Sequence, residues 1–394
     1  MSTRIGTSSS SSEWRRGWRL DRRQLLRRGL VASGAVALVG GWPGQAAFAQ
    51  GSGQVTGYFG TFNDLSGKKE GWPSLEHDEV NDSLWQMIMK TGSADNTRMQ
   101  FANVDAGADQ SKQVQNAINF ITQGYSAIYI NTGTPAGWDQ VIQQASAAGV
   151  LTMNHSPDAL TGATQNVVID HAQAGNLNAQ AAASWANANG VTPVAATLAI
   201  LNSVPLKLRT DTFKTSLTSM LSQTMFYEDV AVPLNNPNAS AAAAQNLLNA
   251  HPDINILFCY NDDTATAVAT ALAQQGTSDP TQFWIGGVDG NNSALQNIAS
   301  GSSTQQATAA FFFGYSAAAL QSDVEKILSG QKVPPTRALL PQLATGDNVQ
   351  TVMTQSNGAL DPQYKSLYDT LIHYFDQPLV TGGPLPSVIT GAGG

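Results

Sequence analysis

Polar residues recur in this chain directly behind short β-branched runs. Asn63 follows Thr61-Phe62, Asn131 follows Ile128-Tyr129-Ile130, and Asn154-His155 follow Leu151-Thr152-Met153. Asn261-Asp262 follow Cys259-Tyr260, Asp289 follows Gly287-Val288, and Arg209 stands where a helix is expected to open after Leu201. One guanidinium, one carboxylate and several amides suit a neutral polyhydroxylated molecule, because each hydroxyl both donates and accepts. Aromatic faces stack on the apolar C–H side of sugars, so Phe62, Trp72, Trp138 and Tyr260 are candidate platforms. Each residue also has an ordinary structural use. Asp289 could cap a helix, Asp262 or Asp263 could cap the one expected from Thr264 and leave Asn261 to a cleft, Arg209 could pair with Asp211 or Glu228, and a neutral His155 could satisfy a loop.

Enzyme chemistry is poorly represented. The sequence has no Gly-x-Ser-x-Gly, His-Glu-x-x-His, Walker or dinucleotide fingerprint. The only dense acid/His cluster, His77-Asp78-Glu79, reads as a solvated loop before a metal site, so no metal and no cofactor are expected. The enzyme alternative is a secreted carbohydrate-active hydrolase with Asp262 and Asp289 as paired carboxylates.

The elements that must position these residues alternate in type. Short β-branched runs, Gly57–Phe62, Met99–Val104, Ala127–Asn131 and Val150–Asn154, are separated by Ala/Gln-rich helical stretches, with a polar loop from Asn63 to Glu79. A second series runs from Asn166–Ile169 to Phe283–Val288, with helix Arg209–Leu221 within it. The fold class expected is α/β, two doubly wound parallel-sheet lobes joined by a three-crossing hinge with a cleft between them. The boundaries expected are 1–49 for a leader, 50–167 plus 309–338 for the N-terminal lobe, and 168–308 plus 339–394 for the C-terminal lobe with an irregular tail wrapping it. Ligands of such sheets lie outside the carboxyl ends of the strands, where the polar residues above fall.

Composition narrows the partners. The chain has 394 residues, 42% hydrophobic and 12% charged, ample for buried cores. Cys259, the single cysteine, rules out an internal disulfide framework. From Gln50 onward 12 basic residues face 26 acidic ones, which argues against nucleic acid. The basic excess lies in the leader. Asp21-Arg22-Arg23-Gln24-Leu25-Leu26-Arg27, a Gly/Ala/Val-rich stretch over Gly29–Gly41 and Ala47-Phe48-Ala49 make a twin-arginine export signal with a cleavage site, hence a periplasmic protein.

These residues bring a family into view. Gln113–Ile118 with Phe120–Ile128, Val168-Ile169-Asp170 with Ala174-Gly175, Arg209 with Phe213, and Asn261-Asp262 with Ile285–Gly290, Ala294-Leu295 and Ile298–Gly301 resemble the ribose-type periplasmic binding proteins, solute-capturing components of ABC importers. The likeness runs from about Val55 to Gly346. It implies a monomeric receptor for a small sugar or polyol, handing it to membrane permease subunits, or else a sugar sensor feeding a signalling partner. It implies that Arg209, Asn261 and Asp289 bind ligand, with Asn131, Asn154 and His155 from the first lobe; Asn63, Phe62 and Trp138 complete the candidate set. The chain departs from the family where Asn154-His155 replace a frequent Asp-Arg, where Gln306 and Thr308 compete for one Gln position, and in the longer loop from Asn63 to Glu79. Crossings are expected near Asn166–Asp170, Ala307–Phe311 and Arg337–Leu343.

Overall fold

The computed structural model describes residues 53–375; the expected leader, residues 1–49, lies outside them. A hairpin comes first, β1 (Gln54–Thr56) against β2 (Thr61–Asn63). There follow β3 (Lys69–Ser74), α1 (Glu79–Ala94), β4 (Gln100–Asp105), α2 (Gln110–Thr122), β5 (Ala127–Ile130), α3 (Trp138–Ala148), β6 (Leu151–Asn154) and β7 (Gln165–Ile169). Next are α4 (His171–Asn189), β8 (Val194–Ala199), α5 (Val204–Met220), β9 (Met225–Phe226), β10 (Val230–Ala231), α6 (Pro237–Ala250), β11 (Ile256–Cys259) and α7 (Asp262–Gln274). The chain closes with β12 (Trp284–Asp289), α8 (Asn292–Ser300), β13 (Gln305–Ala310), α9 (Phe313–Leu328), β14 (Thr336–Leu339), β15 (Gln342–Thr345), α10 (Val349–Ser356), α11 (Lys365–Leu371) and β16 (Ile372–Phe375).

The strands form two seven-stranded sheets, one per lobe. The first runs β16-β14-β7-β6-β5-β3-β4, the second β10-β8-β11-β12-β13-β15 with β9 also on β8. Pairing is parallel except β14 with β16 and β13 with β15. Parallel strands are covered on both faces, and accordingly every residue of β5 (Ala-Ile-Tyr-Ile) and β11 (Ile-Leu-Phe-Cys) is buried. Each such Ile, Leu or Phe adds about 1.5–3 kcal/mol by leaving water. Six of the helices, α1, α2, α4, α5, α6 and α7, start where an Asx or Ser side chain accepts a first-turn N–H: Asp78, Asp109, Asp170, Ser203, Asn236 and Asn261 in turn.

In each sheet the first strand of the winding (β3, β8) lies between the strands that follow it, so the order reverses at β3/β5 and at β8/β11. Loops diverge at such a point and open a crevice at the strands' carboxyl ends. The chain passes between sheets at the three expected places, at Asp170, over Ala310–Phe313 and between Leu339 and Gln342, and a fourth time between Thr345 and Ile372, where the tail returns to the first sheet.

Three features differ from the sequence reading. The expected first strand Gly57–Phe62 is the hairpin, and the central strand β3 lies inside the expected loop, its Lys, Glu, Gly and Pro masking a run buried from Glu70 to Ser74. Helix α5 starts at Val204, capped by Ser203, so Arg209 belongs to its second turn and does not open it. The tail, expected to wrap the second lobe, returns β16 to the first sheet, where Tyr368 and Tyr374 close over Arg337. No helix among the described residues is long and apolar enough to cross a membrane.

Close packing accounts for the glycines of the Gly286-Gly287 pair. A Cβ on Gly287 would come within 2.2 Å of Asp262 Oδ1, and one on Gly286 within 2.5 Å of Asn178 Oδ1. Gly175 likewise lets α4 approach α5, for a Cβ there would lie 2.2 Å from the Arg209 carbonyl oxygen.

Candidate functional site

The carboxyl ends of the two sheets enclose a cavity of about 140 Å³ between the lobes. Its wall includes Asn131 and His155 from the first lobe and Arg209, Asn261, Tyr260 and Asp289 from the second.

Arg209 is held on several sides. Its Nε–H donates to His171 Nδ1 at 2.9 Å, Nη1 donates to the Tyr260 carbonyl at 2.6 Å and to Asp289 Oδ1 at 3.4 Å, and the guanidinium lies 5.5 Å from the Phe311 ring centroid. Among the described residues no acceptor pairs with Nη2, the part of the fork left for a ligand. Because Nδ1 accepts, His171 is neutral; burial, with Arg209 beside it, holds its pKa well below the usual value. Burial also lowers Arg209 itself, against the pull of Asp289.

Asp289 ends β12 with φ of 119°, a conformation L residues rarely adopt. Burial pushes its carboxyl up to about 7, opposed by Arg209. The turn behind it is fixed by Asp262, whose Oδ2 accepts from the N–H groups of Gly290 and Asn291 and from Thr308 Oγ. Asp262 is thus a buried brace that does not line the cavity, which removes it from a carboxylate pair with Asp289. The cap expected of Asp262 or Asp263 is made instead by Asn261, whose Oδ1 accepts from Thr264 N–H at the start of α7, and Asn261 lines the cavity as well.

On the first lobe Asn131 donates to Asn81 Oδ1 at 2.8 Å, and Asn81 donates to both carboxylate oxygens of Asp78. Gln113 donates to the carbonyls of Pro73 and Asn131, tying β3 to β5 at the switch point. His155 Nε2 lies 2.7 Å from Ser316 Oγ, and burial takes its pKa down to about 4, so the ring is neutral at ordinary pH. The lobes also touch directly: Asn235 Nδ2 of the second donates to Glu76 Oε1 of the first at 2.6 Å.

Four candidates lie elsewhere. Asn63 is in the hairpin, its N–H bonded to Ser329 Oγ. Phe62 is buried beside it on β2. Asn154 is buried, donating to the Asp158 carbonyl and Asn166 Oδ1, which pins the loop between β6 and β7. Trp138 is a core residue of α3, packed with Phe120 and Val141. Of the other platforms, Tyr260 lines the cavity and Trp72 is buried against Trp85 and Tyr129. Gln306 bonds the carbonyls of Pro280 and Phe283, and Thr308 bonds Asp262, so neither reaches the cavity. The sequence reading missed Glu76, Asp78, Asn81, Thr132 and Asn235, which also line it. Asp78 was legible only as part of the acid/His cluster; it caps α1, and no metal-holding group of His, Cys, Asp and Glu occurs among the described residues.

Residues 72–332 match the model of the periplasmic binding protein domain. The ribose import binding protein RbsB of Bacillus subtilis (strain 168) is 27% identical over 234 residues, 59% of this chain and 73% of that protein. Among solved structures, a Mycobacterium smegmatis protein in complex with β-D-fucofuranose superposes with a TM-score of 0.66 at 18% identity, covering 78% of this chain and 99% of that one. A solute-binding protein of an ABC transporter from Bacillus halodurans with bound myo-inositol gives 0.64 at 19% identity, covering 73% and 97%.

Proposed function

Since the chain belongs to the periplasmic binding protein family, in its ribose-type sugar-binding branch, we propose that it captures a small neutral sugar or polyol by closing two lobes around it and delivers it to the permease of an ABC importer. The observation that carries this reading is the convergence of Arg209, Asn261 and Asp289 from one lobe with Asn131 and His155 from the other on one cavity. The arginine pair and the small-residue cleavage pattern of residues 1–49 support export to the periplasm, and the receptor works there as a monomer.

The chemistry follows from the wall. Arg209 and Asp289 form a donor and acceptor pair for adjacent hydroxyls, and the amides of Asn131 and Asn261 supply both kinds of partner. A buried carboxylate needs partners, and ligand hydroxyls add to those that Arg209 gives Asp289. Neutral His155 can serve a neutral ligand without adding charge. With residues from both lobes in the wall, ligand stabilises the shut arrangement over the open one, and the crossings at Asp170, Ala310–Phe313 and Leu339–Gln342 are the hinge. The Glu76–Asn235 bond joins the lobes in the shut arrangement and breaks on opening. The receptor returns its ligand unchanged.

A thermal-shift screen of the mature chain with D-ribose, D-allose, D-galactose, myo-inositol, allitol and glycerol tests this. A ligand at 100 times its Kd adds about 2.7 kcal/mol of stability. Stabilisation by at least one, recovered chemically intact, is expected; no stabilisation by any, or conversion of the hit, contradicts the reading.

A further inference from the structure

A second cavity, of about 160 Å³, also lies between the lobes and shares Val80, Asp289 and Phe313 with the first. On the reading above, we propose that it is a second sugar subsite, and that the chain takes a two-ring glycoside whose rings occupy the two cavities on either side of Asp289.

The wall has the chemistry of a carbohydrate site. Helix α1 contributes Gln86 and Lys90, the turn into α8 contributes Asn291, and the segment after α10 contributes Asn357. These supply both donors and acceptors for ring hydroxyls, with Lys90 as a donor only. The aromatic surface comes from Phe312 and Phe313, and one sugar face is largely C–H. First lobe, second lobe and the crossing at Phe312–Phe313 all contribute, so the shut arrangement that clamps the first ring also clamps the second. Strain converges here: Asp289 (φ 119°) and Phe312 (φ 26°), two of the described non-glycine residues with positive φ, both border this cavity. Strained residues persist where surrounding structure over-determines them, and they concentrate at ligand clamps. Asp289, in both walls, is placed to accept from the two rings across their linkage.

The test is calorimetry on the mature chain with single rings (D-glucose, D-galactose, D-ribose, myo-inositol) and two-ring probes (cellobiose, trehalose, lactose, melibiose, galactinol). The expected result is one two-ring probe bound 1:1 at least about tenfold tighter than the best of its component rings, the gain of one or two added hydrogen bonds. Ser83→Trp, from an exposed position on the wall of the second cavity, should abolish that gain and leave the single-ring Kd within about twofold. Asn357→Trp, which fills the same cavity from the opposite side, repeats the test if Ser83→Trp fails to fold by circular dichroism. A single ring bound as tightly as every two-ring probe containing it, or a gain that survives the Trp variant, overturns the second subsite and leaves the one-ring receptor intact. Binding of no carbohydrate of either size overturns the receptor reading itself, and the subsite with it.

Discussion

Two buried Arg–Asp pairs stand in this molecule and are finished differently. Arg337 on β14 donates through Nε to Asp323 at 2.6 Å, and its remaining nitrogens reach the hydroxyls of Tyr368 and Tyr374. Asp323 in turn accepts from Gln165 and Lys326. Burial alone would lower Arg337, but Tyr368 and Asp323 hold it above its ordinary pKa. Arg209 meets Asp289 at 3.4 Å, keeps Nη2 without a described acceptor, and borders a cavity. There burial wins: Arg209 falls and Asp289 rises. A buried pair with every partner in place is architecture, whereas one left incomplete beside a cavity is poised for a ligand to complete it.

The largest effect should come from breaking the complete pair. Arg337→Met leaves Asp323 buried without its main partner, at a cost of about 3–5 kcal/mol, read as a fall in the urea midpoint. Arg209→Ala and Asp289→Ala should instead weaken binding of the screen's hit by roughly ten- to a hundredfold in calorimetry. Unchanged affinity in both would take them out of the site.

Acidity separates the regions further. Asp289 moves from 3.8 to about 7 on folding, so the folded chain keeps a proton that the unfolded chain has released. Its stabilising contribution is complete below 3.8 and is lost as pH rises through about 7. Glu70, buried in β3 and pushed up from 4.5 to about 8 by burial, likewise contributes fully below about 4.5 and has lost that contribution once pH passes about 8. In denaturant melts of the ligand-free chain, Asp289→Asn should flatten the decline between about pH 4 and pH 7, whereas Glu70→Gln should flatten it from about pH 4.5 to pH 8, so that only the second variant removes the part between pH 7 and pH 8. The smallest effect is expected at Asn63: Asn63→Ala, in the hairpin, should leave the hit's Kd within about twofold.

Much of the site was legible because it obeys a rule of parallel sheets. Asn131, His155, Asn261 and Asp289 each lie at or just past the carboxyl end of a strand whose β-branched run is plain in the sequence. The same rule misplaced Asn63, since the hairpin has the stronger β composition and the true central strand, Lys-Glu-Gly-Trp-Pro-Ser, is written in residues that disfavour strands. It also selected Asn154, whose position is right but whose amide is spent on the next loop. Glu76 and Asp78 enter the cavity from the short connection after β3, the strand whose composition hides it, and Asn235 from the one between β10 and α6; the Glu76–Asn235 bond that joins them is a tertiary contact with no local pattern. The tail stayed illegible for a similar reason: β16 is held by pairing with β14 and by tyrosines closing on Arg337, and neither leaves a local pattern.

The most direct test is a crystal structure of the mature chain with the screen's hit bound. The expected density lies in the cavity between Asn131 and Asp289, with hydroxyls within hydrogen-bond distance of Arg209 Nη2 and the Asp289 carboxylate. A ligand bound on an outer face, with the Arg209–Asp289 pair untouched, would contradict the account.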